Sequence, residues 1–253
     1  MGTTSPQRSD PQTLESSEVA QARSAAYGLF ARLTSSPHDA AASRCVLPPS
    51  DLREVARELA RALPFALDLQ PLVAAAAGAI GRGARNLGRE YSALFEVGSE
   101  GAPAPIREDL AGGEAGVKEE IVRFYDFFGY ELTPERQWAP DHLAVELEFL
   151  HFLAFRESRA TASQAIESDA ELSLRLAQRD FLSRHPLRWL PVLRAAIKTQ
   201  THTPYYPSLF DALHRFLTAD LAWLTTQATQ ATEATQTTQT TELPRAAEPK
   251  EEG

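Results

Sequence analysis

Residues 140–155 read PDHLAVELEFLHFLAF, and this stretch decides the fold. Its large apolar side chains occupy too much of a helix circumference for a surface helix, which would be apolar along one stripe only. The pattern therefore predicts a long helix that runs through the core. Pro140 suits the first helical position, and Asp141 would then place a carboxylate in the first turn, where the helix dipole favours negative charge. The apolar residues concerned are Leu143, Val145, Leu147, Phe149, Leu150, Phe152, Leu153 and Phe155.

Helical patterns also fill the chain on both sides of this stretch. Apolar residues recur every three or four positions, and capping or breaking residues such as Ser50, Pro64 and Gly129 stand where the patterns begin or end. No segment shows the sustained apolar and polar alternation that is typical of strands. The sequence therefore predicts an all-α, single-domain helical bundle, with helices over residues 15–33, 50–63, 86–97, 114–128, 163–183, 187–199 and 207–224 and an alanine-rich helix after Pro71.

The two ends of the chain differ in composition from the rest. Residues 1–14 are rich in Ser, Thr, Gln and Pro, and residues 225–253 begin with a repetitive Thr, Gln and Ala run and end in a Pro, Glu and Lys tail. Neither segment offers enough apolar surface to offset the entropy cost of ordering it. We expect a disordered leader over residues 1–14, a helical domain over residues 15–224 and a disordered low-complexity tail over residues 225–253.

Charge and cysteine content restrict the compartment and the partners. Lys and Arg total 25 against 34 Asp and Glu, which gives a net charge of −9. Such a chain repels nucleic acid and anionic lipid and can attract a basic peptide, although an acidic surface is also the commonest solvated one. Cys45 is the only cysteine, so no intramolecular disulfide or cysteine-based zinc site can form. Because no apolar stretch is long enough for a membrane span or signal peptide, we expect a soluble cytoplasmic protein.

The polar residues of the long helix are the first candidates for chemistry. His142 and Glu146 share a face, and Glu148 with His151 forms an E-x-x-H pair like those of di-iron bundles. A di-iron site needs that motif twice together with two more carboxylates, and the zinc motif H-E-x-x-H is absent. Two other interpretations of this polar cluster stay open. One is a metal-dependent helical-bundle enzyme that uses these four residues, and the other is a plain helix cap. Cys45 has no neighbouring base, so nucleophilic catalysis is not predicted.

Four segments in order along the chain carry motifs. Residues 90–95 read EYSALF and precede a loop rich in Gly and Pro, residues 138–150 read WAPDHLAVELEFL, residues 181–191 read FLSRHPLRWLP and residues 203–206 read TPYY. Together they resemble the TorD/DmsD/NarJ family of molybdoenzyme maturation chaperones, whose patterns are close to E-Y-x-x-L-F, P-D-H-L-x-x-E-L-x-F, F-L-x-x-H-x-x-x-W-x-P and S-P-F-Y. The resemblance covers roughly residues 24–223.

This resemblance implies a cofactor-free chaperone rather than an enzyme. Many members of the family bind the twin-arginine signal peptide of a molybdopterin oxidoreductase and hold its catalytic subunit for cofactor insertion and assembly before export. The matched Asp141 and His142 are then expected to contact the client, since a carboxylate at a helix start can pair with arginine in a bidentate fashion. The rest of the predicted client site consists of Pro140, Trp138, Glu146 as a second acidic contact, and Tyr91 and Phe95 as the apolar wall.

The loop after EYSALF departs from the family pattern. Many relatives carry a segment like P-P-Y-E-S-V-Y there, whereas residues 105–110 read PIREDL, with polar residues at the aromatic positions. The overall sequence pattern resembles that of the subgroup that serves type II enzymes of the DMSO-reductase family. A structural assembly factor that binds the mature part of its client and ignores the signal peptide stays open, as does the choice between monomer and dimer.

Overall fold

The computed structural model describes residues 11–38, 47–81, 83–98, 101–134, 139–162 and 168–241. This part of the chain forms nine helices and no strand, which confirms the all-α prediction. None of these helices is long and apolar enough to cross a membrane. The helices are α1 Pro11–Thr34, α2 Pro49–Ala62, α3 Gln70–Gly81, α4 Ala84–Phe95, α5 Val117–Phe128, α6 Leu143–Ala162, α7 Ser168–Arg184, α8 Pro186–Gln200 and α9 Tyr205–Thr241.

Helix α6 lies at the centre of one continuous hydrophobic core, as its sequence predicts. Most of its large apolar side chains are fully buried, and helices α1 and α7 pack along it. Phe152 is only partly buried, and Phe155 is 51% exposed, so the solvent-facing side of the helix lies in its second half. The buried side chains are Leu143, Val145, Leu147, Phe149, Leu150 and Leu153.

A buried ion network ties four helices together. The guanidinium of Arg23 on α1 is fully buried and donates to both carboxylate oxygens of Asp220 on α9, at 2.5 and 3.0 Å. It also donates to Glu157 on α6 and to Gln178 on α7, each at 2.8 Å. Burial alone would lower the pKa of Arg23, but Asp220 and Glu157 outweigh it and raise that pKa. A single side chain therefore fixes α1, α6, α7 and α9 relative to one another.

Helix α6 begins at Leu143, so the prediction that Pro140 takes its first position is wrong. Pro140 and Asp141 lie in the turn that precedes the helix, and the cap is supplied by His142 instead. The Nδ1 atom of His142 accepts the backbone N–H of Ala144 at 3.1 Å, which is the bond that a capping side chain makes. Asp141 is consequently free of the capping role and its carboxylate points to other partners.

The helices at the two ends of the described chain extend beyond the predicted domain of residues 15–224. Helix α9 continues to Thr241, and α1 begins at Pro11, within the predicted leader. Ala and Gln favour helix, Leu224 and Ala228 are buried, and threonine hydroxyls such as that of Thr225 donate to the carbonyl four residues earlier. Low complexity therefore does not prevent helix here. Residues 1–10 and 242–253 lie outside the described residues, as does Cys45.

Replacing Arg23 by methionine is expected to lower the free energy of unfolding by about 3–5 kcal/mol, because Asp220 and Glu157 would be left buried without a counter-charge. Urea unfolding followed by circular dichroism measures this change. Replacing the exposed Arg53 of α2 by methionine is the matched control and should stay within about 0.5 kcal/mol of the parent. Equal stability of the two variants would contradict a framework role for the network.

Candidate functional site

The turn before α6 is paired with the loop that precedes α5. The backbone N–H of Glu108 donates to the carbonyl of Asp141 at 3.0 Å, and the N–H of Leu143 donates to the carbonyl of Ile106 at 3.1 Å. Arg107 and His142 thereby form an isolated antiparallel bridge. The loop that departs from the family pattern in sequence is thus the segment that covers the start of α6.

The carboxylate of Asp141 is fully buried beneath this loop. Its Oδ1 atom accepts from the guanidinium of Arg107 at 3.3 Å, and its Oδ2 atom accepts from the backbone N–H of Asp109 at 3.2 Å. Burial raises the pKa of Asp141 to about 6, with a further increase from the side chain of Asp109 and a partial offset from Arg107. The most buried carboxylate of the turn therefore already holds an arginine.

Arg107 is shared between two acids. It lies 3.2 Å from the carboxylate of Asp109 and 3.3 Å from that of Asp141, while its own side chain is 18% exposed. Lys118 supplies a second cation to Asp109 at 2.5 Å. Burial would raise the pKa of Asp109, but the hydrogen bonds from Asp141 and Lys118 and the charge of Arg107 lower it. Asp109 can therefore keep Lys118 as a partner if Arg107 leaves.

A second acidic group lies deeper, where α6 meets α8. Glu146 is fully buried, and no described residue hydrogen-bonds either of its carboxylate oxygens. Burial raises its pKa well above the ordinary value, and the nearby carboxylates of Glu108 and Asp141 raise it further. The indole of Trp189 lies close enough to Glu146 to offset part of this increase in its pKa. The Nε1 atom of Trp189 nevertheless does not meet the geometry of a hydrogen bond to the carboxylate.

Glu108 and His185 complete this cluster, and sequence reasoning missed both. The Nδ1 atom of His185 lies 3.0 Å from Glu108 Oε2, and both side chains are buried. His185 belongs to the FLSRHPLRWLP motif, which was the available signal, whereas Glu108 lies in the departing loop and carries no motif. We refer to Glu108, Asp141, Glu146 and His185 as the acidic cluster.

The predicted apolar wall lies elsewhere in the structure. Tyr91 and Phe95 are 1% and 5% exposed, and their rings pack against each other and against Tyr206 and Phe210 in the core. Pro140, in contrast, is buried beside the acidic cluster, where its carbonyl accepts from the hydroxyl of Tyr125 at 2.9 Å. The structure thus brings together Pro140, Asp141, His142 and Glu146, and gives Tyr91 and Phe95 a packing role. Trp138 lies outside the described residues.

The four side chains of the metal alternative are not arranged around a common point. His142 caps α6, Glu146 faces Glu108, Glu148 accepts from the hydroxyl of Tyr130 at 3.4 Å, and His151 bonds to Ser24 on α1. Within the part of the chain that the structure describes, no group of three His, Cys, Asp or Glu residues could hold a metal ion. The arrangement therefore gives no support to a metal-dependent enzyme.

Comparison with known families places this geometry in context. Residues 48–195, more than half of the chain, match the family model described as nitrate reductase delta subunit. The chain belongs to this family. The matched range contains the EYSALF and PDHL motifs, the loop of Arg107 and the acidic cluster. Membership confirms the resemblance to the NarJ and TorD chaperones that the motifs indicate.

Three curated relatives are 36–39% identical to this chain over the segments that align with it. The selenate reductase assembly chaperone protein of Thauera selenatis is 39% identical over 47% of this chain and 63% of its own length. The chlorate reductase assembly chaperone protein of Ideonella dechloratans is 37% identical over 50% of this chain and 66% of its own. The perchlorate reductase assembly chaperone protein of Dechloromonas aromatica is 36% identical over 52% of this chain and 60% of its own. The chain therefore spans less than two thirds of the length of each.

Replacing Glu146 by glutamine is expected to change the pH dependence of stability. A carboxyl group whose pKa is raised by folding binds an extra proton in the folded state, so its contribution to stability falls as the pH rises from its unfolded pKa through its folded pKa. Glutamine has no such dependence. The free energy of unfolding of the variant, relative to the parent, should therefore increase from pH 5 to pH 8 in urea titrations. If the difference in free energy of unfolding between variant and parent does not change with pH, folding does not raise the pKa of Glu146.

Proposed function

We propose that this chain is an assembly chaperone for the catalytic subunit of a molybdopterin oxidoreductase. The observation that carries the proposal is the family match over residues 48–195, which includes every residue of the acidic cluster, together with three relatives that are named as reductase assembly chaperones. The chaperone holds its client in the cytoplasm until the cofactor is inserted and the subunit is ready for export. The selenate and chlorate relatives favour a client among the type II enzymes of the DMSO-reductase family.

The acidic cluster is the proposed binding site for an arginine of the client's twin-arginine signal peptide. Asp141 accepts a guanidinium from Arg107 in this structure, so the site already has the geometry and charge that an arginine requires. A client arginine would take the place of Arg107, which would keep its second partner, Asp109. The negative charge of Glu108, which raises the pKa of Glu146, also adds negative potential beneath Asp141 and favours the incoming cation.

The remaining predicted contacts depend on the same loop. The backbone N–H of Ala104 donates to the carbonyl of Leu94 at 2.9 Å and holds the loop against the end of α4, close in sequence to Tyr91 and Phe95. These two aromatic side chains are packed against Tyr206 and Phe210 of α9 and would reach a client only if this packing opened. We include them, with His142, Pro140 and Trp138, in the proposed site on this condition.

Affinity capture of the tagged chain from its anaerobically grown host tests the proposed function. We expect mass spectrometry to identify one molybdopterin-enzyme catalytic subunit that still carries its twin-arginine leader. The matched comparison is the Asp141→Asn variant, which should retain at least about tenfold less of that subunit, because loss of a charge-assisted pair costs on the order of 1.5–3 kcal/mol. Recovery of no reductase subunit by the parent chain would contradict the proposal.

A further inference from the structure

A second surface on this protein has the opposite charge to the acidic cluster. A groove of about 800 Å³ lies between α5 and α7, and we call it the α5–α7 groove. Its apolar lining consists of Phe124, Phe127, Phe128, Leu176 and Ala177. Phe127 is 82% exposed, the highest value among the large apolar side chains of the described residues. Together with Leu176 and the half-buried Phe124 and Phe128 it forms a contiguous apolar patch, which is typical of a binding surface.

Two arginines that line this groove have no carboxylate partner within the part of the chain that the structure describes. Arg184 pairs with both Glu120 and Asp180, so the two acids of the lining are already neutralised. Arg123 donates only to the backbone carbonyl of Glu119, and no described acid pairs with Arg179. The groove is thus locally positive on a chain whose net charge is −9.

We infer that the α5–α7 groove docks an acidic, amphipathic segment of the mature catalytic subunit, with an apolar side chain against Phe127 and carboxylates toward Arg123 and Arg179. This inference rests on the proposed function, since it names a second part of the same client. The twin-arginine leader does not fit, because its arginines would meet the unpaired cations of the groove. A two-fold dimer of this chain with the groove at its axis does not fit either, because the arginines of the two copies would then lie close together.

The groove and the acidic cluster touch through two side chains. The ring of Phe124, in the groove, lies edge-on to His185 with centroids 5.8 Å apart, and His185 pairs with Glu108 in the cluster. Glu120 approaches the other nitrogen of His185 at 3.7 Å. A basic leader and an acidic mature segment would therefore bind side by side, each to the surface of opposite charge. Two weak contacts held together in this way give a higher overall affinity than either alone.

Binding of a pair of designed peptides to the full chain tests this inference. Each peptide is a labelled amphipathic helix of about five turns with a Leu and Phe stripe, flanked by Glu in one and by Lys in the other. Fluorescence anisotropy should show that the parent binds the Glu peptide at least about tenfold more tightly than the Lys peptide. This result is opposite to what the overall charge of −9 would give through non-specific attraction.

Three variants assign the binding to the groove. R123E/R179E should reverse the preference between the two peptides, and Phe127→Ser should weaken binding of the Glu peptide by a similar factor without lowering the melting temperature, since Phe127 is exposed. R53E/R57E, which makes the same charge change on the exposed face of α2, should bind like the parent. Tighter binding of the Lys peptide by the parent, or an unchanged preference in R123E/R179E, would overturn the inference.

Two further outcomes separate this inference from other occupants and from the proposed function. If light scattering shows a dimer that Phe127→Ser converts to a monomer, the occupant is a second copy and the inference is wrong. If the parent and R123E/R179E capture the same amount of reductase subunit from the host, only the groove assignment fails. If neither captures any, the proposed function fails, whichever designed peptide binds.

Discussion

The buried guanidinium of Arg23 is the interaction on which the rest of this structure depends. It joins α1, α6, α7 and α9 through Asp220, Glu157 and Gln178. A buried charge that is fully paired is costly to disturb, because loss of one partner leaves the others uncompensated. The network therefore fixes the C-terminal half of α6 within the bundle, and the packed core along the helix extends this rigidity to its first turn. The acidic cluster is consequently presented by a rigid element and covered by a loop.

The start of α6 differs in character from the Arg23 network. There, acids outnumber cations, Glu146 has no hydrogen-bond partner among the described residues, and Arg107 reaches Asp141 at 3.3 Å while also contacting Asp109. A region that needed only stability would place apolar residues at such positions, since buried carboxylates carry a large desolvation cost. The acidic cluster lies buried beneath the loop and adjoins the locally positive α5–α7 groove. Under the proposed function, these two sites of opposite charge would receive the basic leader and an acidic mature segment of one client.

Local sequence patterns predict the features that depend on residues close in sequence, such as the burial of a helix and the position of its end. The apolar circumference of residues 143–155 indicated a core helix, and Gly129 ends α5 in the left-handed conformation that a glycine permits. The patterns could not predict pairs that join distant residues, such as Arg23 with Asp220, which are 197 positions apart, or Glu108 with His185. They also placed the first helical residue at Pro140 rather than at Leu143, because Pro and Asp are favoured near helix starts. Burial of Tyr91 and Phe95 likewise depends on α9, which no local pattern includes.

Peptide binding tests most directly whether Arg107 occupies the site of a client arginine on Asp141. The probe is a labelled twin-arginine leader peptide of the captured subunit, with its two arginines replaced by glutamine in the control. Arg107→Gln should raise the affinity for the leader roughly two- to fivefold, the equivalent of a partly exposed ion pair that no longer competes, whereas Asp141→Asn should abolish the preference for arginine. Unchanged affinity in Arg107→Gln together with full arginine preference in Asp141→Asn would contradict the account.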